Sequence, residues 1–563
     1  MTHPLFDRHH ETLSSAVGAI RSRAYWSAYP EAPSGKVYGE TAREDGLAAF
    51  QARLDRPFQL EEPEAGAERV GEEVSPYGMR LGVTYPKVDP GALLAAARNA
   101  TRAWRKADVE TRVGIGLEIL HRLNRRSFEI AFAVMHTTGQ GFMMAFQAGG
   151  PHAQDRGLEA IAYAFEEMSR CPARATWEKR VGKAETVTLS KAYRIVPRGI
   201  GVVVGCSTFP TWNGYPGLFA SLVTGNAVVV KPHPGAILPL AITVEIARAV
   251  LAEQGFDPNV VTLAADTPGE PITKALVTHP DVGIVDYTGG SAFGEWVEAN
   301  ARQAVLYTEK SGVNSIVIDS VDDLRAVTGN IAFTLCLYSG QMCTTSQNIF
   351  IPRDGIDVGG ETKTFDEVAG AIVKAVDWLL GDAARATEVL GAIQSQRTVA
   401  RIEEAKAAGG RVLRASEAIE NAAFPEARVR GPLILQVDAA DEALYGHEMF
   451  GPIAYVVATD STNESIELAA RTARERGAIT CSLYSTDERV IEAAEEATAD
   501  AGVPLSCNLT GSIWVNQSAA FSDFHVTGAN PAGNATLCDG AFVAGRFRVV
   551  QSRIPVPQAA AVG

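Results

Sequence analysis

The chain is predicted to be an α/β protein with two parallel-sheet units and a small β element beside them. Three observations lead there. From Ile200 to Tyr307 short apolar runs alternate with helical stretches, and the alternation resumes from Asn314 to about Pro504. Between helices and sheets, Glu185 to Arg194 alternates apolar and polar residues, and Phe542 to Ile554 reads as another strand. Strands buried on both faces of a parallel sheet read as unbroken apolar runs, whereas a half-exposed strand alternates with period two.

In order, Met1 to about Pro90 reads as an arm wrapping the core, rich in aromatics, Pro and Ser over Arg23–Gly39 and acidic over Glu61–Glu73. It is assigned no chemistry. Helices follow over Pro90–Arg105 and Thr111–Ser127, the second with Val113, Leu117, Leu120 and Leu123 at helical spacing. His121 and His136 lie in or near helices and are read as structural. An edge hairpin is expected over Glu185–Arg194. Strands are then expected at Gly201–Gly205, Ala227–Val230, Val260–Leu263, Val282–Tyr287 and Ala304–Tyr307, with a clear helix over Leu238–Gln254. Such alternation implies a parallel sheet with crossover helices, a dinucleotide-binding architecture. The second unit places strands at Ser315–Asp319, Leu433–Val437, Ile453–Ala458 and Ile479–Tyr484, and helices at Phe365–Leu380 and Asn463–Arg474.

Composition narrows the function. Hydrophobic residues make up 46% of the 563 and charged residues 21%, enough for a sizeable core. A net charge of −15 without a Lys/Arg cluster disfavours nucleic acid and anionic membranes. The most apolar stretch, Ile200–Val230, is broken by Pro210, Asn213, Pro216 and Asn226, so no membrane span is expected. Seven scattered cysteines without CxxC spacing fit reduced thiols and no metal site. With no signal-like start, a cytoplasmic location is expected.

The chemistry centres on Tyr338–Gln347, a small-residue loop between a predicted helix (Asp322–Leu337) and strand (Asn348–Pro352). Cys343 there is a candidate nucleophile. A lone cysteine is more often inert, but Glu309, 34 positions upstream at a strand end and followed by Lys310-Ser311-Gly312, suits a general base. Thr288, Gly289, Gly290 and Ser291 follow a strand and open a helix, an arrangement able to hold a pyrophosphate. Lys231 ends an apolar strand where α/β ligands bind. Gly199-Ile200-Gly201 is discarded as a dinucleotide fingerprint because it precedes its strand.

Gly340-Gln341-Met342-Cys343 and Glu309-Lys310-Ser311-Gly312, at that separation, resemble the nucleophile and base motifs of the aldehyde dehydrogenase superfamily. The resemblance runs from roughly Pro90 to Arg553. It implies a Rossmann-like cofactor domain (90–183 and 200–308), a catalytic domain (309–514), an oligomerisation element (184–199 and 515–555) and an N-terminal arm (1–89). It further implies that Lys231 binds the cofactor ribose, that Glu448 contacts the nicotinamide ribose and that Phe450 packs beside the nicotinamide. Many NAD-preferring members carry a Glu where Pro234 stands after His233. Losing that carboxylate favours NADP, with NAD the alternative. The family's oxyanion Asn falls on Thr208 by counting back from Lys231, and Asn213 is the other candidate donor. In that family the hairpin packs against a partner subunit, so the resemblance implies a homodimer or homotetramer.

Cys206-Ser207-Thr208-Phe209-Pro210-Thr211-Trp212-Asn213, with Lys231-Pro232-His233-Pro234 and the long arm, is most similar to the phenylacetate-degradation aldehyde dehydrogenases, without a fused hydratase domain. The expected activity is NAD(P)-dependent oxidation of an aldehyde, a CoA-linked semialdehyde, through a Cys343 thioester. A CoA-acylating dehydrogenase, a catalytically silent binding protein of the same fold and a reductase acting on an activated acid remain as alternatives. Ser518–Gly540, with His525, is expected at the substrate entrance.

Overall fold

The structure is a computed structural model that describes residues 3–61, 67–182 and 185–557. Part of the acidic Glu61–Glu73 run and the expected boundary at 183–184 lie outside the described residues. The arm is helical: α1 (Pro4–Ser22) buries Leu5, Phe6, Leu13 and Ile20 against α2 (Val109–Arg125) and α3 (Ala153–Ser169).

A three-stranded antiparallel sheet comes next. The edge hairpin expected over Glu185–Arg194 is instead one long strand, β2 (Glu185–Pro197), which turns back on β1 (Arg174–Val181) and pairs with the final strand on its other side, so β2 is central. The sequence reading began the hairpin at Glu185 because the charged stretch Arg174–Val181 carries little apolar alternation.

The cofactor-type sheet contains β3 (Ile200–Val204), β4 (Ala227–Lys231), β5 (Val261–Leu263), β6 (Val282–Thr288) and β7 (Val305–Glu309). All pair in parallel in the order β5-β4-β3-β6-β7. Helices α4 (Pro210–Val223) and α5 (Leu238–Glu253) are crossovers, and α6 (Ser291–Asn300) starts at the end of β6. Strand order reverses beside β3, so the carboxyl ends of β3, β4 and β6 open a ligand crevice. Register puts Val204 opposite Lys231 and Thr288 opposite Glu309.

The second sheet holds β8 (Asn314–Ile318), β9 (Ser346–Pro352), β10 (Arg411–Arg414), β11 (Leu433–Asp438), β12 (Ile453–Thr459), β13 (Cys481–Tyr484) and β14 (Leu505–Cys507). Their order is β10-β11-β12-β9-β8-β13-β14, antiparallel only at β10. Between β8 and β9, helix α7 (Leu324–Cys336) is capped by Asp323, which accepts from the N–H groups of Arg325 and Ala326. β15 (Phe547–Pro555) completes the antiparallel sheet, exposed along all but its first residue. A buried Arg546–Asp286 pair, at 2.6 and 2.8 Å, ties the start of β15 to β6.

Candidate active site

After α7 the chain passes through a tight turn before Cys343. Tyr338, Ser339 and Gly340 take φ values of 52°, 50° and 65° in succession. Two non-glycine residues in the left-handed region cost free energy, so the surroundings must hold them. Tyr338 donates to the Thr138 carbonyl and Ser339 to that of Leu390 at 3.0 Å. The Gln341 amide donates to Tyr338 and Ala392 carbonyls and accepts from the Gln394 N–H. A Cβ on Gly340 would lie 2.3 Å from the Gly451 carbonyl oxygen. Beyond the turn, Asn314 Nδ2 donates to the carbonyls of Cys343 (2.8 Å) and Thr345 (3.1 Å), fixing the backbone of the nucleophile and the residues that follow it.

Glu309, the last residue of β7, is buried beside this loop. Asn213, in the first turn of α4, donates its Nδ2–H to Glu309 Oε2 at 2.8 Å. His525 Nε2 lies 3.1 Å from Glu309 Oε1 and 3.7 Å from Cys343 Sγ, and the thiol hydrogen-bonds the same carboxyl. The ligand-type atoms of Glu309, Cys343 and His525 all fall within 4.8 Å of one another. Burial alone raises the Glu309 carboxyl, but His525, Cys343 and Asn213 together carry it below the ordinary carboxylate range. Burial, then the charge of Glu309, pushes the Cys343 thiol well above its ordinary value. At rest the carboxylate is ionised and the thiol protonated.

Thr208 is not brought to this point. Its carbonyl accepts from Gln140 at 2.8 Å and its side chain faces Cys206. Thr208 does not line the cavity around Cys343, whereas Phe209, Trp212 and Asn213 do. Counting back from Lys231 assumed an even spacing. The helix actually begins at Pro210, and its first turn presents Asn213.

Of the expected cofactor residues, Lys231, His233, Pro234 and Thr288–Ser291 lie at or just past the carboxyl ends of β4 and β6, whereas Glu448 and Phe450 lie in the loop before β12. Lys231 is buried, its ammonium 2.7 Å from Asp266 Oδ1 and donating to the Pro232 carbonyl. His233 is exposed and its Nδ1 accepts from the Gly235 N–H, leaving Nε2 as the ring donor; Pro234 follows in the turn. Thr288 ends β6, Gly289 donates to the Glu309 carbonyl, and Gly290 caps α6, which begins at Ser291. A Cβ on Gly290 would meet no atom within 4 Å, so backbone there is open to a close-lying group. First-turn N–H groups of a helix lack intrahelical partners, so the start of α6 suits an anionic group such as a pyrophosphate. Glu448 accepts from Ser311 and from the Gly312 N–H, and burial raises its carboxyl despite those bonds. The Phe450 carbonyl accepts from Arg401.

A cavity of about 510 Å³ opens from Cys343. Trp26, Phe209, Trp212, Phe333, Trp514 and Met342 give it a broad apolar wall, and among the described residues no Lys or Arg lines it. Sequence reasoning missed the arm's part in it. Tyr25, Trp26, Ser27 and Glu31 line the cavity, held there because Asp155 accepts from Ser27 Oγ (2.6 Å) and the Ala28 N–H (3.0 Å). It also missed His525 as a neighbour of Cys343; no periodicity marks a histidine in an irregular segment.

Comparison with known proteins bears on the family and the fold. The family model described as "Aldehyde dehydrogenase family" matches residues 83–533. A crystal structure of an NAD-dependent aldehyde dehydrogenase from Burkholderia multivorans is 59% identical over 99% of this chain and 100% of its own, with a TM-score of 0.98. N-succinylglutamate 5-semialdehyde dehydrogenase of Burkholderia lata is 28% identical over 70% of this chain and 76% of its own. The 1-pyrroline-5-carboxylate dehydrogenase of Thermus thermophilus, 19% identical over 95% and 99% of the two chains, shares the fold with a TM-score of 0.74. With a nucleophile-type thiol, a buried carboxylate and a parallel-sheet crevice converging on one cleft, this chain belongs to the aldehyde dehydrogenase family.

Proposed function

We propose that the enzyme oxidises an aldehyde carried on a bulky, largely apolar and uncharged body to the carboxylic acid, through a thioester on Cys343. The observation that carries the substrate class is the cavity lining, which is aromatic and Met-rich, holds Glu31, Asp155 and Glu388, and among the described residues includes no Lys or Arg. Burying an anion there without a partner is costly. A dianionic substrate of the N-succinylglutamate semialdehyde type is therefore disfavoured. A CoA-linked semialdehyde of phenylacetate breakdown fits with its apolar acyl arm inside and its phosphates outside the cavity.

In this reading the Cys343 thiolate attacks the aldehyde carbon and Asn213, with the Cys343 backbone N–H, donates to the oxyanion. A nicotinamide dinucleotide, when bound, supplies the hydride acceptor. Glu309 then takes a proton from water as the water oxygen bonds the acyl carbon, and the C–S bond breaks. A buried, ionised Glu309 argues for hydrolysis over transfer to CoA.

For the dinucleotide, Pro234 presents no charge to repel a 2′-phosphate and the exposed His233 has a ring donor to offer, while the Burkholderia multivorans structure is described as NAD-dependent. Both nucleotides are accepted in this proposal, with kcat/KM ratios within about tenfold; a preference above about a hundredfold for either one contradicts it. The exposed β15 marks the face for pairing subunits into a homo-oligomer, and a cytoplasmic location goes with the reduced thiols.

The test compares initial rates of nicotinamide reduction for phenylacetaldehyde, octanal, a CoA-linked semialdehyde and N-succinylglutamate semialdehyde, with product analysis with and without CoA. Free acid from the apolar aldehydes, unchanged by CoA, supports the proposal. Preferred turnover of the dianionic aldehyde, or acyl-CoA as product, contradicts it.

A further inference from the structure

The proposed reading gives tasks to Cys343, Glu309 and Asn213 and leaves His525 without one, although this histidine is buried beside them, more deeply than the half-buried Cys343. Its position is built. Residues around it stitch to the end of β7: Lys310 N–H donates to Ala532, Asn534 N–H to Thr308, and Thr308 N–H to Asn534 Oδ1. His525 and Leu537 exchange backbone bonds at 2.9 and 2.8 Å. The buried Arg156–Glu159 pair holds the segment's start, with Arg156 donating to Ser518 and Asp523 carbonyls and Glu159 accepting from the Phe521 N–H. The imidazole stands edge-on to Trp212 with ring centroids 4.7 Å apart. Its Nδ1 is buried without a hydrogen-bond partner, and Nε2 faces only Glu309 Oε1 and Cys343 Sγ. A histidine retained for packing alone satisfies its polar atoms elsewhere. Here the polar contacts of the ring are the two reacting groups.

We propose that His525 is a third member of the catalytic centre, whose Nε2–H holds Glu309 as a carboxylate at rest and turns to the Cys343 sulfur when the thiol proton is lost. The inference rests on the Cys343–Glu309 reading. In the activation step the S–H bond breaks, an O–H bond forms on Glu309, and negative charge moves from oxygen to sulfur, both within reach of one donor. Glu309 releases that proton to solvent. During hydrolysis a water proton passes to Glu309, the C–S bond breaks to leave a thiolate facing Nε2–H, and the proton on Glu309 returns to sulfur. Other charged or titratable groups around the pair are Glu448 and Cys206, and Arg156 lies behind the Trp212 ring.

The experiment follows iodoacetamide alkylation of the Cys343 peptide against pH, without aldehyde, in wild type, His525→Ala and His525→Gln, alongside the acid limb of kcat. Removing the donor in H525A is expected to raise the alkylation midpoint by about one pH unit, on the order of tenfold slower labelling at a fixed pH. The acid limb moves upward with it. Gln, a neutral donor of similar reach, gives a smaller shift in the same direction. A purely structural role lowers activity and melting temperature while leaving midpoint and limb at the wild-type value, and that result overturns the proposal. If H525A fails to fold, H525Q decides alone, a wild-type midpoint again being fatal. Undiminished turnover by Cys343→Ala would sink the thioester reading itself, and labelling reports on His525 separately from it.

Discussion

The thiol and the carboxylate at this site are displaced in opposite directions, Cys343 upward by burial and then by the charge of Glu309, Glu309 downward by His525, Cys343 and Asn213 against the effect of burial. Glu309 sits below the ordinary carboxylate range although burial works against it, because His525, Cys343 and Asn213 hydrogen-bond its charged form. Its sign is that of a depressed acid. It stays ionised through neutral pH, and both its function as base and its favourable native contacts are lost only as pH falls below the ordinary carboxylate value of about 4.3. Cys343 is displaced upward, so its alkylation without substrate should keep rising above pH 8.5, the ordinary thiol value, approximately; a plateau near neutral pH would contradict this. Asn213→Ala removes a donor from Glu309 and the candidate oxyanion donor together, with an expected loss of about 10²–10³ in kcat. Thr208→Val, outside the cavity, should cost less than about threefold in the same assay. Equal losses would return Thr208 to the oxyanion site. Cys343 and Glu309 were legible in the sequence because each lies in a short motif at an element boundary. Asn213 and His525 were not fixed by it, since one depends on where a helix starts and the other on a chain crossing 182 residues away from Cys343 in sequence.

Among elements, the turn before Cys343 and the tie between β15 and β6 carry the most consequence. Gly340→Ala places a Cβ at φ +65° against the Gly451 carbonyl, so the turn must move and Cys343 with it. A stability loss of about 1–3 kcal/mol is expected with a disproportionate loss of activity, read by thermal melting and by turnover. Arg546→Met leaves Asp286 buried without its partner, an expected loss of about 3–5 kcal/mol in unfolding free energy. A variant within about 0.5 kcal/mol of wild type would show that the pair is replaceable. The five strands of the first sheet were readable nearly to the residue, because strands such as β4 are buried on both faces and contain nothing but apolar residues until Lys231. β1 was missed because charged residues dominate its exposed strand, and only pairing with β2 makes it visible.

Across the whole molecule, the arm and the antiparallel sheet complete what the two sheet units begin. The arm supplies Tyr25, Trp26 and Glu31 to a cavity whose floor is Cys343, a link between distant parts of the chain that no local pattern discloses. Asp155→Ala frees that wall and is expected to raise KM for phenylacetaldehyde more than for a short aldehyde. Parallel changes for both would separate the arm from substrate recognition. Val549, Val550 and Ile554 are exposed on β15, an edge strand of the kind that pairs with another chain. If the proposed homo-oligomer assembles through β15, Val550→Glu should reduce the molecular mass measured by light scattering; an unchanged mass would contradict a contact through this strand.

The central claim is that oxidation and hydrolysis are split by a thioester on Cys343 that Glu309 resolves. Glu309→Gln, mixed with an apolar aldehyde and oxidised dinucleotide and quenched for intact and peptide mass analysis, tests it directly. An acyl adduct on the Cys343 peptide, accumulating to one per subunit with an equal burst of reduced nicotinamide, is the predicted result. Sustained turnover with Cys343 unmodified would contradict the account.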